Sequence, residues 1–178
     1  MQVVCFGDSN TYGYDPRSWL GGRYDKDSRW VDLLAARTGW NICNLGENGR
    51  CIPQGPVAVP ADTELFLVML GTNDLLQGAT PAQTAARMKT FLQSLPFPRE
   101  KILLVAPPPM TSGAWVPDET LPDASRTLAR AYKDLAEELG TRFADGGAWG
   151  VTLAYDGVHF TEAGHRAFAE GLYREVTR

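Results

Sequence analysis

The chain has 178 residues, of which 44% are hydrophobic and 21% are charged, and its formal net charge is −4 at pH 7. This length and composition are typical of one globular domain with a sizeable core, and we expect residues 1–178 to form that domain. The lack of clustered Lys and Arg argues against nucleic-acid binding, and no apolar run approaches the roughly 20 residues that cross a bilayer.

Five short apolar runs predict β-strands. In chain order they are residues 3–6, 41–45, 65–70, 102–106 and 141–144. The third run, LFLVML, is the most apolar, as expected for a central strand buried on both faces.

Segments with apolar residues at helical spacing separate these strands. The first surrounds Leu34, and the second begins at Thr80 with a capping pattern and extends to about residue 94. The third passes through Leu128 and ends at Gly140, and Thr161 caps the last. This alternation with mostly short connections predicts an α/β fold, a flavodoxin-like three-layer αβα sandwich with a five-stranded parallel sheet.

Four polar segments follow predicted strands, the fourth after a short loop. They are residues 7–10 (GDSN), 44–49 (NLGENG), 71–74 (GTND) and 156–159 (DGVH). Because ligands bind such sheets at the carboxyl ends of the strands, we expect these segments to converge on one edge.

The residue types in these segments suit acyl transfer to a serine. A Ser hydroxyl becomes a strong nucleophile when a His accepts its proton and a carboxylate fixes the tautomer of that His. A single turn can place the carboxylate of Asp156 against Nδ1 of His159 and leave Nε2 to face Ser9. The backbone N–H groups of Ser9 and Gly49 and the side-chain amide of Asn73 are candidate donors to the oxyanion.

In this order, the four segments resemble the conserved blocks of the SGNH (GDSL) hydrolase family, over residues 7–159. The resemblance implies a flavodoxin-like αβα sandwich with serine esterase, lipase, thioesterase or carbohydrate-deacetylase activity. By matching positions, it implies that Ser9 is the nucleophile, His159 the base and Asp156 its orienting carboxylate. Gly49 and Asn73 match the family's oxyanion donors. Residues 6–16 (FGDSNTYGYDP) also resemble the arylesterase and acyltransferase-like branch.

Candidate substrate-binding residues are Asn10, Tyr14 and Trp115. Asn10 departs from the family pattern, which most often has a hydrophobic residue after the nucleophile, and its amide can contact substrate or attach the loop. The aromatic residues of segment 12–19 are either core residues or a lining of the acyl pocket. Segment 107–122, rich in Pro, is either a rigid connection or a wall or lid of the site.

For other polar residues we expect structural roles. Asp8 should anchor the loop of the nucleophile, Asp74 and Cys51 should be structural, and His165 should lie on the surface of the last helix. Gly46 should adopt positive φ in a turn. With two histidines and no ordered cluster of Cys, His and carboxylates, we expect no metal site.

The three cysteines are an odd number, and Cys5 and Cys43 lie in apolar runs. Buried, reduced thiols and the absence of a secretory signal at the start of this sequence predict a cytoplasmic protein. Whether the chain forms a homo-oligomer is left open.

We therefore expect a serine esterase that acts on a small-molecule ester with a short acyl group, acetyl to butyryl, without metal or organic cofactor. A chain of this length leaves little for a cap domain, so the site should be an open cleft. Within the family, a carbohydrate deacetylase or thioesterase is the alternative. From another class, the alternatives are a non-catalytic ligand-binding module and a flavin- or nucleotide-binding module. The lack of a Gly-rich phosphate loop after the first strand counts against a flavin or nucleotide site.

Overall fold

A computed structural model of the chain describes residues 1–18 and 20–177. Within these residues, five parallel strands form one sheet in the order β2-β1-β3-β4-β5. The strands are β1 (Gln2–Gly7), β2 (Asn41–Gly46), β3 (Leu65–Met69), β4 (Ile102–Ala106) and β5 (Arg142–Asp145). The central strand is β3, and all of its residues are buried, as its apolar run predicted.

The same residues form six α-helices: α1 (Ser9–Tyr12), α2 (Trp30–Thr38), α3 (Thr72–Leu76), α4 (Pro81–Ser94), α5 (Thr120–Leu139) and α6 (Glu162–Val176). Thr80 and Gln83 form the predicted capping box of α4, and Gly140 ends α5 in the left-handed conformation. In the described parts of the chain, no helix has both the length and the apolar character that a membrane span requires.

Helices cover both faces of the sheet because successive side chains of a strand point to opposite faces. On one face, side chains of β1, β3 and β4 pack against α4 and α5; they include Val4, Phe6, Phe66, Val68 and Leu104. On the other face, the alternate side chains pack against α2 and α6; they include Val3, Cys5, Leu65, Leu67 and Val105. The αβα sandwich with a five-stranded parallel sheet is therefore confirmed.

Three short or irregular elements differ from the prediction. The helices α1 and α3 have four and five residues, too few for a hydrophobic period to reveal them. The long connection after β4 ends at residue 119, since α5 begins at Thr120 rather than after residue 122. Pro122 lies in the first turn of α5, where its missing N–H costs no helical hydrogen bond.

Predictions for three residues were wrong. Cys43 is exposed, because β2 is an edge strand whose alternate residues face away from the core. Gly46 does not have positive φ; instead, an added Cβ would lie 2.1 Å from the backbone nitrogen of Tyr12. His165 is fully buried, because it shares the buried face of α6 with Phe168.

The surroundings of His165 are aromatic. Its Nδ1 accepts the backbone N–H of Trp30 at 3.4 Å, and the rings of Tyr24 and Phe160 lie edge-on to it. Its Nε2 has no hydrogen-bond partner among the residues that the structure describes. Burial, together with the nearby charges of Arg29 and His159, lowers the pKa of His165 to about 3.

This burial predicts a loss of stability in acid. The unfolded chain protonates His165 below its ordinary pKa of 6.5, whereas the folded protein does not until the pH approaches about 3, so stability falls as the pH falls between these values. Relative to His165→Asn, which keeps an acceptor for Trp30, the wild-type protein should lose about 3 kcal/mol of unfolding free energy between about pH 7.5 and about pH 4.5. Urea unfolding of both proteins measures this difference. A difference that does not change with pH would contradict a neutral His165 in the folded state.

Candidate active site

The candidate nucleophile lies at the carboxyl end of β1. Ser9 is the first residue of α1, and the carboxylate of Asp8 caps this helix by accepting the backbone N–H of Asn10 at 3.0 Å. Burial raises the pKa of Asp8 to about 6, although the hydrogen bond from Asn10 opposes this shift. These contacts agree with the expected role of Asp8 as an anchor of the loop.

Three residues predicted to act together are adjacent in the structure. Nε2 of His159 lies 3.0 Å from Oγ of Ser9, and Nδ1 of His159 lies 2.7 Å from Oδ2 of Asp156. All three side chains are almost completely buried. At these distances Nε2 can accept the hydroxyl proton while the carboxylate holds the opposite side of the ring.

The surroundings of Asp156 stabilise its charged form. Burial opposes ionisation, but the carboxylate accepts hydrogen bonds from the His159 ring and from the backbone N–H groups of Val158 and His159, and the pKa of Asp156 is lowered. Asp156 is therefore ionised at neutral pH. A charged carboxylate at this position orients the imidazole and stabilises the imidazolium that forms when His159 takes a proton.

Ser9 and His159 open into a cavity of about 290 Å³. Its other lining residues are Tyr14, Asn48, Gly49, Asn73, Trp115 and Val158. The cavity thus brings together every predicted oxyanion residue and two of the three predicted substrate-binding residues. Asn48 and Val158 had no predicted role; the sequence signal for them is their place beside Gly49 and His159 in the polar segments.

Two candidate oxyanion donors come from separate segments. Gly49 has a φ of 75°, in the left-handed region that glycine adopts readily. Asn73 lies in the first turn of α3, and its Nδ2 donates to the carbonyl oxygen of Arg50 at 3.1 Å. Because an amide nitrogen carries two N–H groups, a second one is left for a group in the cavity.

The side chain of Asn10 attaches one loop to another. Its Nδ2 donates to the carbonyl oxygen of Val158 at 3.1 Å, and its Oδ1 accepts the backbone N–H of Phe160 at 2.9 Å. These contacts favour the interpretation that Asn10 attaches the loop over the interpretation that it contacts substrate. A hydrophobic side chain at this position could not make either bond, and Asn10 thereby ties the Ser9 turn to the His159 loop.

Two aromatic rings contact the imidazole of His159. The ring centroids of Tyr14 and His159 are 4.6 Å apart, and those of Trp115 and His159 are 5.2 Å apart. Trp115 is half exposed, and its backbone N–H donates to the carbonyl oxygen of Asp156 at 3.0 Å. The connection after β4 therefore forms a wall of the cavity, as one of its two interpretations expected.

Segment 12–19 contains two more aromatic residues, Tyr12 and Trp19. Tyr12 belongs to α1, and its ring lies under the guanidinium of Arg23, with 4.3 Å from the guanidinium carbon to the ring centroid. Trp19, which was also considered as pocket lining, lies outside the described residues.

The contacts of Asp74 and Cys51 fit the structural roles expected of them. The buried carboxylate of Asp74 accepts the backbone N–H of Ile52 at 3.0 Å and a guanidinium N–H of Arg87 at 2.8 Å. Burial and the nearby charge of Asp74 raise the pKa of the Cys51 thiol. A raised pKa leaves little thiolate at neutral pH, which makes Cys51 a poor nucleophile.

Comparison with known proteins identifies a family and similar solved structures. The model of the GDSL-like lipase/acylhydrolase family matches residues 5–167. A carbohydrate acetylesterase family member from Sinorhizobium meliloti is 28% identical, with a TM-score of 0.82 over 98% of this chain and 96% of that one. The native aryl esterase of M. smegmatis is also 28% identical, with a TM-score of 0.83 over 98% of this chain and 97% of that one. No curated protein sequence matches significantly.

Proposed function

The chain belongs to the GDSL-like lipase/acylhydrolase family and is a carboxylic ester hydrolase, and from this premise we propose that it cleaves short-acyl esters with Ser9, His159 and Asp156 as its catalytic triad. A flavin- or nucleotide-binding module and a non-catalytic binding module are set aside, because the family and its solved relatives are acylhydrolases and esterases. The observation that carries the proposal is the continuous chain of contacts from Ser9 through His159 to Asp156, open to one cavity.

In the first half of the reaction, Oγ of Ser9 attacks the ester carbonyl while Nε2 of His159 takes the hydroxyl proton. The backbone N–H groups of Ser9 and Gly49 and the amide of Asn73 donate to the oxyanion of the tetrahedral intermediate. When this intermediate collapses, His159 gives its proton to the departing alcohol oxygen, and the acyl group remains on Ser9.

In the second half, a water molecule attacks the acyl group with His159 as the base. The second tetrahedral intermediate collapses to the carboxylic acid and restores the Ser9 hydroxyl. Asp156 stays ionised throughout and holds the tautomer of His159 that presents Nε2 to Ser9.

The alcohol portion of the substrate should lie against aromatic rings. His159 protonates the leaving oxygen, so the leaving group must be on the side of His159, and Tyr14 and Trp115 contact the imidazole there. An aryl ring or the apolar face of a sugar can pack on such rings. The named activities of the two solved relatives, a carbohydrate acetylesterase and an aryl esterase, support this assignment.

The size of the cavity favours short acyl groups. A volume of about 290 Å³ must hold the ester carbonyl and part of the alcohol, which leaves little room for a long chain. Each methylene that an apolar pocket buries contributes only about 0.8 kcal/mol, so a small open site gains little from added length.

A panel of p-nitrophenyl esters from acetyl to dodecanoyl, together with acetylated sugars and an acetyl thioester, tests this proposal. We expect the highest kcat/KM for acetyl to butyryl esters. A kcat/KM that climbs steadily to dodecanoyl would contradict a small acyl site. A preference for acetylated sugars over aryl acetates would identify a carbohydrate deacetylase, and a preference for the thioester would identify a thioesterase.

The aromatic wall predicts the effect of Trp115→Ala. This variant should raise KM for phenyl acetate by about tenfold, because it removes one of the two rings on the leaving-group side. Ethyl acetate has no aromatic ring that could contact Trp115, so it serves as the internal control. Its KM should change by less than about twofold. Equal changes for both substrates would place Trp115 away from the alcohol portion.

We also propose that residues 1–178 form one hydrolase domain. The family match extends over residues 5–167, and strands from residue 2 to residue 145 enter a single sheet. Both ends of the chain contribute to the proposed triad, with Ser9 after β1 and His159 before α6. Deletions at either end should therefore remove activity together with the fold.

A further inference from the structure

Arg50 directly follows Gly49 in the chain and accepts a hydrogen bond from Asn73, so it is attached to two of the proposed oxyanion donors. We propose that Arg50 is a positioning residue, which holds the backbone N–H of Gly49 and the side-chain amide of Asn73 in place for the oxyanion. This inference rests on the proposed function and adds to it a residue that does not touch the substrate.

The guanidinium of Arg50 joins the ends of two strands. Its Nη1 donates to the carbonyl oxygen of Gly7, at the end of β1, at 3.1 Å, and to the carbonyl oxygen of Leu45 in β2. Its Nη2 donates to the carboxylate of Glu47 at 2.5 Å. Its central carbon lies 4.3 Å from the ring centroid of Phe6. An arginine with these partners is fixed in place and is largely removed from solvent.

The backbone of Arg50 holds the two donors. Its N–H donates to the carbonyl oxygen of Glu47 at 3.2 Å and closes the turn that contains Gly49. Its carbonyl oxygen accepts Nδ2 of Asn73 at 3.1 Å. The guanidinium therefore fixes a short segment of backbone to which both donors are attached.

The turn has little other packing at Gly49. Across the described residues 1–18 and 20–177, no heavy atom outside the two adjoining residues lies within 4 Å of the position that a Cβ of Gly49 would occupy. Packing against the Cα of Gly49 therefore does little to hold the turn. The guanidinium of Arg50 and the backbone N–H of Glu47 both donate to the carbonyl oxygen of Gly7, and of these two contacts the Arg50 side chain is the one that lies beside Gly49 and connects its turn to the end of β1.

Donors to an oxyanion stabilise the transition state only when they are held in place before the reaction, and small displacements lower the rate strongly. Loss of the guanidinium would free the turn without removing any group that contacts the bound ester. We therefore expect kcat to fall while KM changes little.

The test compares Arg50→Met with a matched control, Arg99→Met. The guanidinium of Arg99 also donates to backbone carbonyl oxygens, those of Leu92 and Gln93 in α4, and Arg99 does not line the cavity. With p-nitrophenyl acetate, Arg50→Met should lower kcat by about 10- to 100-fold and change KM by less than about twofold, whereas Arg99→Met should change neither. A wild-type kcat for folded Arg50→Met would overturn the inference.

Arg50→Lys covers the case in which Arg50→Met does not fold. Lysine keeps the charge but lacks the planar fork that reaches several acceptors at once, so kcat should still fall, by about three- to tenfold. Wild-type kcat in folded Arg50→Lys, with Arg50→Met unfolded, would assign Arg50 to stability alone and overturn the inference.

A double-mutant cycle with Asn73→Ala tests the connection directly. If Arg50 positions the amide of Asn73, Arg50→Met should lower kcat by a smaller factor once that amide is gone, and the loss that remains should come from the N–H of Gly49. Equal factors in both backgrounds would overturn the connection. Ser9→Ala, measured in parallel, separates the two proposals: substantial turnover by Ser9→Ala would remove the proposed triad, whereas inactive Ser9→Ala with fully active Arg50→Met would remove only the role of Arg50.

Discussion

Ser9→Ala should lower kcat for p-nitrophenyl acetate by a factor of about 10³ or more while the protein stays folded. Removal of the hydroxyl leaves His159 with no proton to accept and the ester with no nucleophile. The oxyanion donors alone can still assist attack by water, which sets the residual rate. Steady-state kinetics and thermal unfolding of the purified variant measure the two parts of this expectation.

His159→Ala should cause a comparable loss, and the double variant should lose no more than either single variant, because members of a triad act as a unit. The matched control is Ser94→Ala, whose hydroxyl donates only within its own helix, to the carbonyl oxygen of Phe91. This control should keep wild-type kinetics. Turnover by Ser9→Ala above about a tenth of the wild-type rate would rule out Ser9 as the nucleophile.

Asn73→Ala should lower kcat by about 10²- to 10³-fold with little change in KM, the usual effect of removing one oxyanion donor. The amide lies in the cavity with Ser9, and charge develops on the carbonyl oxygen only as the transition state is reached. Asn41→Ala, at the exposed start of β2, is the control and should be fully active. A raised KM with unchanged kcat would instead assign Asn73 to binding of the substrate.

The strands were predictable because each is a short apolar run ending where polar residues begin. For example, 102–106 was predicted with the bounds that the structure has, and 65–70 is one residue too long. The positions of Ser9, Asn73 and His159 followed from the rule that parallel strands present their carboxyl ends together. The apolar runs and the polar segments that follow them were therefore sufficient to predict the fold. They were also sufficient to predict that the four polar segments converge on one edge of the sheet.

Side chains whose surroundings depend on distant packing were not predictable in the same way. The exposure of Cys43 depends on β2 lying at the edge of the sheet, and strand order is not visible in one apolar run. His165 is polar, and polar residues usually lie on the exposed face of a helix, but its three-residue spacing from Phe168 places it on the buried face of α6. Arg50 received no prediction, since its partner Gly7, at the end of β1, is distant in the sequence and meets it only in the folded protein.

Covalent labelling of the nucleophile tests the central claim most directly. A fluorophosphonate forms a bond from its phosphorus to the attacking oxygen and releases fluoride, and peptide mass spectrometry locates the adduct. We expect one adduct per chain, on Ser9, absent from Ser9→Ala and formed far more slowly in His159→Ala. An adduct on Cys51 or on a serine other than Ser9, with esterase activity lost in proportion, would contradict the account.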